Sequence, residues 1–289
     1  MPDHLQICPL CLCKGWKARK TCLFLAATPG QIYGSLMQLD ISFFAAAIPA
    51  VMLVGLSKGG LGGALALMGV PLLALVVDPI KAAAIFLPIL IIMDVVALFV
   101  WRHHNDRQTL LMILPGGIMG IVLGWATSAY VPPEALKFVI AISVSIFALR
   151  YFYQAYWPHG SGEHAPRPQQ PRAATFWGAL SGYASFVAHA GGPPFQIYVL
   201  PLKLDPKSYT GTSVRYFALV NAIKLIPYFT LGALNVDNLV LSASLFPVAL
   251  VATMLGAWII RHMRTEVFYP LSYGLALATG IKLLWDSLV

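Results

Sequence analysis

Charge is scarce in this chain. Of 289 residues, 19 are Lys or Arg and 11 are Asp or Glu, together 10%. Soluble domains run near 25% charged and need that charge to solvate their surface, so a soluble globular enzyme is excluded as a first reading. Cysteine is scarcer still. All four (Cys8, Cys11, Cys13, Cys22) fall within the first 37 residues. Cys8-Pro-Leu-Cys11 is half of a zinc knuckle with no second Cys or His pair at ligand spacing, so neither a metal site nor a cofactor is expected. A Walker loop is also missing, which removes ATP as an energy source. What is abundant is apolar: 58% hydrophobic residues, 12% aromatic, with 21 prolines, a composition that excludes a disordered chain. The solvent that suits it is a bilayer, where every remaining charge is costly and therefore informative.

Charge and composition divide the chain into an N-terminal extension (1–37), an apolar block (38–157), a Pro- and Gly-containing linker (158–173) and a second apolar block (174–289). In the extension, KARKTCLFLAAT (17–28) has the basic-then-apolar order of a signal sequence with a short core, while Met37 offers an alternative start. No function is placed there. A membrane helix needs about 20 apolar residues. On that scale the first block divides into 40–57, 61–77, 80–101, 108–129 and 134–156. The second divides into 174–190, 193–202, 208–232, 238–260 and 266–286. The opening pair of each block is broken by glycines, at Ser57-Lys58-Gly59-Gly60 and at His189-Ala190-Gly191-Gly192-Pro193-Pro194. Pro115, Gly124, Glu134, Arg150 and Tyr153 each stand 132 positions before Pro247, Gly256, Glu266, Lys282 and Trp285, and Asp94 pairs with Asn221 at a slightly different offset. One offset held over five positions of similar chemistry indicates duplication.

Basic residues then set an orientation. Arg102, Arg107, Arg150, Arg167, Arg172, Lys203, Lys207, Arg261 and Arg264 fall on one side of the expected membrane, and Lys81, Lys137 and Lys282 on the other. The halves come out inverted, and each broken pair becomes a re-entrant hairpin with its tip inside the membrane. The net charge of +8 is thus a topology signal, with no nucleic-acid partner implied. The expected fold is an all-α polytopic membrane protein of two inverted repeats, each beginning with a Gly-rich re-entrant or broken helix pair.

Irregular backbone at membrane depth is tolerated only where it lines a cavity or is buried in protein, and matched Gly/Pro-broken segments point to a transporter's site. A helix is expected to restart after each tip, near Leu61 and Phe195, presenting unpaired amides and a positive dipole end to an anion. Close helix packing is the competing use of the same glycines. Lys58 at its tip needs an anion, a carboxylate or a wet cavity, and Asp94 is the one carboxylate well inside an apolar segment. Asp94 is either a proton carrier or that lysine's structural partner. His189 could bind substrate, carry a proton or bond a carbonyl. In the polar segment 208–229, Arg215 lies near the basic end, while Asn221 and Lys224 lie deeper on one helix face. Ser185 and His189 are four apart but lack an elbow motif or a third orienting group, so a protease is set aside. Trp101, Tyr130 and Trp157 read as interfacial anchors.

VGLSKGGLGGALALMGVPLLAL (54–75), LPILIIMDVVALFVWR (87–102) and LPGGIMGIVLG (114–124) resemble the first half of the TauE/SafE family of sulfite exporters. GYASFVAHAGGPPFQIYVLP (182–201), GTSVRYFALVNAIKLIPY (211–228) and TLGALN (230–235) resemble its second half, so that the likeness covers about 38–286. The same family includes 4-toluene sulfonate uptake permeases. The resemblance implies a multi-pass permease of the bacterial inner membrane, not an enzyme, for a small sulfur-containing anion such as sulfite or an organosulfonate. Export coupled to an ion or driven by a gradient is the expected direction. It carries the substrate-binding expectation onto Ser57, Lys58, Gly59, Gly60, His189, Gly191, Gly192, Arg215, Asn221 and Lys224, with Asp94 and His189 as proton-coupling candidates. The competing class is a non-transporting membrane component that assembles or docks other proteins.

Overall fold

The computed structural model describes residues 41–61, 65–127, 133–156, 166–230 and 236–288. The extension with its four cysteines, most of the linker, Tyr130 and Trp157 lie outside these residues. Among the described residues the chain is helical throughout, without strands. We number the helices α1 (Ile41–Leu56), α2 (Gly69–Leu73), α3 (Pro79–Val100), α4 (Arg107–Thr127), α5 (Pro133–Tyr156), α6 (Pro171–Ala188), α7 (Gly192–Val199), α8 (Pro206–Thr230), α9 (Val236–Ser244), α10 (Phe246–His262) and α11 (Thr265–Leu288).

The starts of these helices are written in the sequence. Helices α3, α5, α6 and α8 each open on proline, whose fixed φ and missing N–H suit the first helical position. Before α8, Asp205 Oδ1 accepts from the Lys207 and Ser208 amides at 3.0 and 3.1 Å, the usual way an aspartate caps a helix. Asp106 does the same for α4 through the Gln108 amide at 2.9 Å. Prolines inside α1, α3, α4 and α11 (Pro49, Pro88, Pro115, Pro270) leave these helices long, as neighbouring helices permit in membrane proteins.

Four described helices are long and apolar enough to cross a membrane, or five if α9 and α10 form one span bent by 50°. Helix α8, 25 residues long, is not among them because its polar residues lower its mean hydropathy. Asn221 and Lys224 are buried while Leu219 and Ile226 are exposed, so apolarity averaged over the whole helix hides its lipid-facing stripe.

Both opening pairs are broken where the glycines stand, but unequally. After α1 the chain makes a wide turn over Ser57–Leu61, with Gly60 at φ 139°, a conformation only glycine adopts readily. Among the described residues no α-helix starts near Leu61. A short 3₁₀ segment (Leu65–Met68) comes first and α2 begins at Gly69, so the described part of the expected continuous piece 61–77 holds two short segments. In the second half the break is tight, with His189 left-handed at φ 51°, and α7 starts at Gly192 rather than Phe195. The expected piece 238–260 likewise divides into α9 and α10. The second pair closes on itself: Arg167 N donates to Pro201 O at 3.0 Å, so chain entering α6 and chain leaving α7 lie side by side.

Helix α4 packs on α6, and α10 packs on α1 and its following turn. A Cβ on Gly182 would stand 2.0 Å from Gly117 O, and one on Gly256 2.5 Å from Leu56 O; only glycine allows backbones this close. Helix α3 meets α8, α5 meets α11, α4 meets α8 and α10 meets α3. The basic loops gather at one end of this bundle. Gln169 Nε2 reaches Asp106 Oδ2 (3.2 Å), the Asp106 amide donates to Thr212 Oγ1 (2.8 Å), and Arg261 Nη2 donates to Val100 O (2.7 Å).

Candidate functional site

The turn after α1 carries Lys58 to the side of α3, where its Nζ lies 2.6 Å from Asp94 Oδ1. Asp94 is 3% exposed, and its other oxygen accepts from Asn221 Nδ2 of α8, also at 2.6 Å. A half-satisfied buried carboxylate would be costly; this one has a cation and an amide, one on each oxygen. Lys58 Nζ also lies 5.7 Å from the centre of the Phe217 ring, a cation–π contact. Of the two roles open to Asp94, the partner of a lysine is the one its contacts display.

Lys224 is different. It is 0% exposed and donates to Ser185 O at 2.7 Å, with Ser185 Oγ at 3.4 Å and His189 Nδ1 at 3.3 Å. None of these partners is a carboxylate. Ser185 and His189 sit at the end of α6, so the second tip is held against α8 through this amine.

A cavity of about 80 Å³ lies between the two tips. The first tip contributes Ser57, Lys58 and Gly60, the second His189, Gly191 and Gly192, and α8 contributes Asn221 and Lys224. Val54, Val70, Phe86 and Leu90 supply an apolar wall. This volume exceeds what one water requires and suits a few heavy atoms. Amides at the start of α7 are fewer than a helix end normally offers. Pro193 and Pro194 carry no N–H, and Phe195 N donates to Gly191 O at 3.4 Å, leaving Gly191 and Gly192 as the amides that this terminus can present.

Eight of the eleven expected site residues therefore line one cavity, and Asp94 stands behind Lys58. Two do not join them. Gly59 faces α10, and its carbonyl accepts from Trp101 Nε1 at 3.1 Å. Arg215 lies at the other end of α8's polar face. Its guanidinium donates to the carbonyls of Trp101 (3.2 Å), His104 (2.8 Å), Gly211 (2.9 Å) and Arg102 (2.7 Å), closing the C-terminus of α3. The expectation for Trp101 is corrected as well: it is 0% exposed and ties the first tip to α3, whereas an interfacial anchor would face lipid. Residues not singled out in the sequence, Tyr209, Thr210, Ser213 and Phe217, also line the cavity. Their spacing along α8 matches one helix face, the single signal that could have marked them.

Outside the membrane-spanning segments, Lys203 is pushed down from its ordinary pKa by burial. Its Nζ sits 4.3 Å from the Tyr269 ring centre and 5.4 Å from that of Tyr151, so three segments meet on one cation at the basic end. Among the described residues no group of His, Cys, Asp or Glu is arranged to hold a metal ion.

No curated protein and no solved structure matches the chain. A family model, sulfite exporter TauE/SafE, matches residues 47–283, a stretch that contains both tips, α3, α8 and every cavity residue named above. The chain belongs to the sulfite exporter TauE/SafE family.

Proposed function

We propose that the cavity between the two tips binds one small sulfur oxyanion, sulfite or an organosulfonate, and releases it across the bilayer by alternating access. The family makes the chain a multi-pass membrane transporter of the sulfite or sulfonate type; the site, the substrate and the coupling are our reading. The observation that carries it is Lys224. A fully buried amine on the cavity wall, held by Ser185 and His189 without a carboxylate, supplies the charge that an anion would complete. Lys58 is already paired with Asp94, so an anion entering here meets, among the described residues, an amine with no carboxylate among its hydrogen-bond partners, the Asn221 amide group and the amides of Gly191 and Gly192.

The same geometry supports a division of labour between the two proton-coupling candidates. Asp94 has both oxygens engaged and acts as the anchor of Lys58. His189 touches Lys224 directly and is the group we assign to proton coupling. We further infer that the halves are inverted repeats. Exchanging first-half for second-half helices maps α4–α6 onto α10–α1 and α4–α8 onto α10–α3, and leaves α3–α8 and α5–α11 paired. With the basic loops cytoplasmic, the first tip opens from the outside and the second from the inside. The setting is the bacterial inner membrane and the direction export. The units are then 38–157 and 174–289, joined by the cytoplasmic linker 158–173.

The test is labelled sulfite efflux from proteoliposomes under an imposed pH gradient. Wild type is expected to move sulfite and to respond to the gradient, and Lys224→Met to lose at least nine-tenths of the flux, roughly the effect of removing one charge-assisted contact. Wild-type flux in Lys224→Met would sink the site, and no flux with any sulfur oxyanion would sink the substrate. In either case a non-transporting component would become the better reading.

A further inference from the structure

Thr210 carries a hydroxyl that the fold leaves unused. Its side chain is 1% exposed, and among the described residues Oγ1 has no hydrogen-bond partner. A threonine hydroxyl inside a helix, buried or exposed, commonly returns to the carbonyl four residues back. Thr127, Thr175, Thr212, Thr253 and Thr279 all do so here, at 2.7 to 3.0 Å. Thr210 does not, although it lies only two residues from Thr212 on the same helix. It lines the cavity instead, together with Tyr209 and with Ser213 one turn further along α8. The first tip lies against it: a Cβ on Gly60 would stand 3.1 Å from Thr210 Oγ1 and 2.8 Å from its Cγ2.

An unpartnered buried donor is costly, and each one in a folded protein calls for an explanation. We propose that Thr210 and Ser213 form a second, uncharged station for the transported oxyanion, at the end of the cavity nearer the basic loops. This rests on the reading of the cavity as the transport site. Thr210 and Asn221 are separated by roughly 16 Å of helix rise, too far for one small anion to touch both side chains at once. The cavity then has two levels, a cationic one at Lys58, Asn221 and Lys224 and a hydroxyl one at Thr210 and Ser213. A hydroxyl donating to an oxyanion makes a charge-assisted bond without a fixed counter-charge. Such a station accepts a dehydrated sulfite or sulfonate oxygen and lets it go, whereas a second lysine would hold it. Gly60 keeps the way open, because any side chain there would cover the hydroxyl.

The experiment uses the full chain in proteoliposomes, with sulfite as the probe and K224M as a control on the parent reading. Thr210→Val, which keeps the shape and removes the donor, is expected to raise KM for sulfite on the order of tenfold. Its thermal unfolding temperature in detergent should hold or rise, because a buried unpaired polar group has been removed. Thr210→Ser should return KM to near wild type. Wild-type KM in Thr210→Val, or equal damage in Thr210→Ser, overturns the station. If K224M is inactive while Thr210→Val is normal, only the second station fails; if K224M transports normally, the cavity reading fails and the station with it. Should Thr210→Val not insert, Thr210→Ala, which opens space rather than filling it, is read by the same criteria.

Discussion

Asn221 of α8 donates to Asp94 of α3 at 2.6 Å, while Lys58 holds the other carboxylate oxygen at the same distance. Residues of three segments, two of them 127 positions apart in the chain, thus meet at the Asp94 carboxylate. Breaking a buried pair on one side leaves the other charge stranded, at a cost of about 3–5 kcal/mol. Asp94→Asn should therefore lower the yield of folded protein sharply. The double variant Lys58→Met/Asp94→Asn, with both charges gone, should recover much of that yield yet remain without sulfite flux. Size-exclusion profiles in detergent and proteoliposome flux read the two effects separately. A double variant no more stable than Asp94→Asn would show that the pair is not what the fold depends on.

Arg215 separates structure from transport in another way. Its four carbonyl partners need a planar fork with several N–H groups, which lysine cannot reproduce. We expect Arg215→Lys to lose about 2 kcal/mol of stability, of the order of a charged hydrogen bond, with KM for sulfite unchanged in the protein that folds. A clear rise in KM with normal stability would return Arg215 to the substrate.

Asp205 gives a pH-dependent prediction outside the membrane. Burial pushes its carboxyl up, but hydrogen bonds from Ser208 and from the Lys207 amide, with the neighbouring His104, outweigh this and hold it below the usual carboxylate range. A lowered native pKa stabilises above the ordinary carboxylate value, and that contribution is lost as pH falls through the native value. Asp205→Ala should therefore cost about 1 kcal/mol at pH 7, as the loss of a helix cap does. The gap from wild type should shrink as the pH is taken below about 4. Thermal unfolding in detergent across that range measures it; a gap independent of pH would mean that the carboxylate charge plays no part.

The orientation can be read by labelling. Arg172 is exposed at the start of α6, and Leu75, 77% exposed, follows α2 toward the opposite end. With the four native cysteines replaced by serine, Arg172→Cys should react with a membrane-impermeant maleimide only from the cytoplasmic face. Leu75→Cys should react only from the outside. Reaction of both from one face would refute the assigned topology.

Much of this protein is legible in its amino-acid sequence. Scarce charge and abundant apolar residues place it in lipid, and aspartate–proline pairs mark the starts of α3 and α8. Glycines mark where both opening pairs break; in the first only glycine readily takes the φ of Gly60, while in the second the left-handed residue is His189. The basic loops that meet at one end carry the lysines and arginines that orientation predicts. These are local or averaged properties, and they follow from what each residue type does in hydrocarbon. Lys58, Asp94, His189, Asn221 and Lys224 could be named for the same reason, since each is costly where it stands.

What each costly residue does depends on which distant segment meets it, and that is a tertiary matter. Lys58 and Lys224 look alike in sequence, yet one meets a carboxylate and the other a serine and a histidine. Arg215 finds the carbonyls at the end of α3 and is spent there. Trp101 turns inward to Gly59, and Thr210, among threonines that bond their own helix, faces a cavity with its hydroxyl unpartnered. The residue types bring the chain into the membrane and limit where charge can sit; only the packing of distant segments decides which buried cation bonds a carboxylate and which bonds a serine and a histidine.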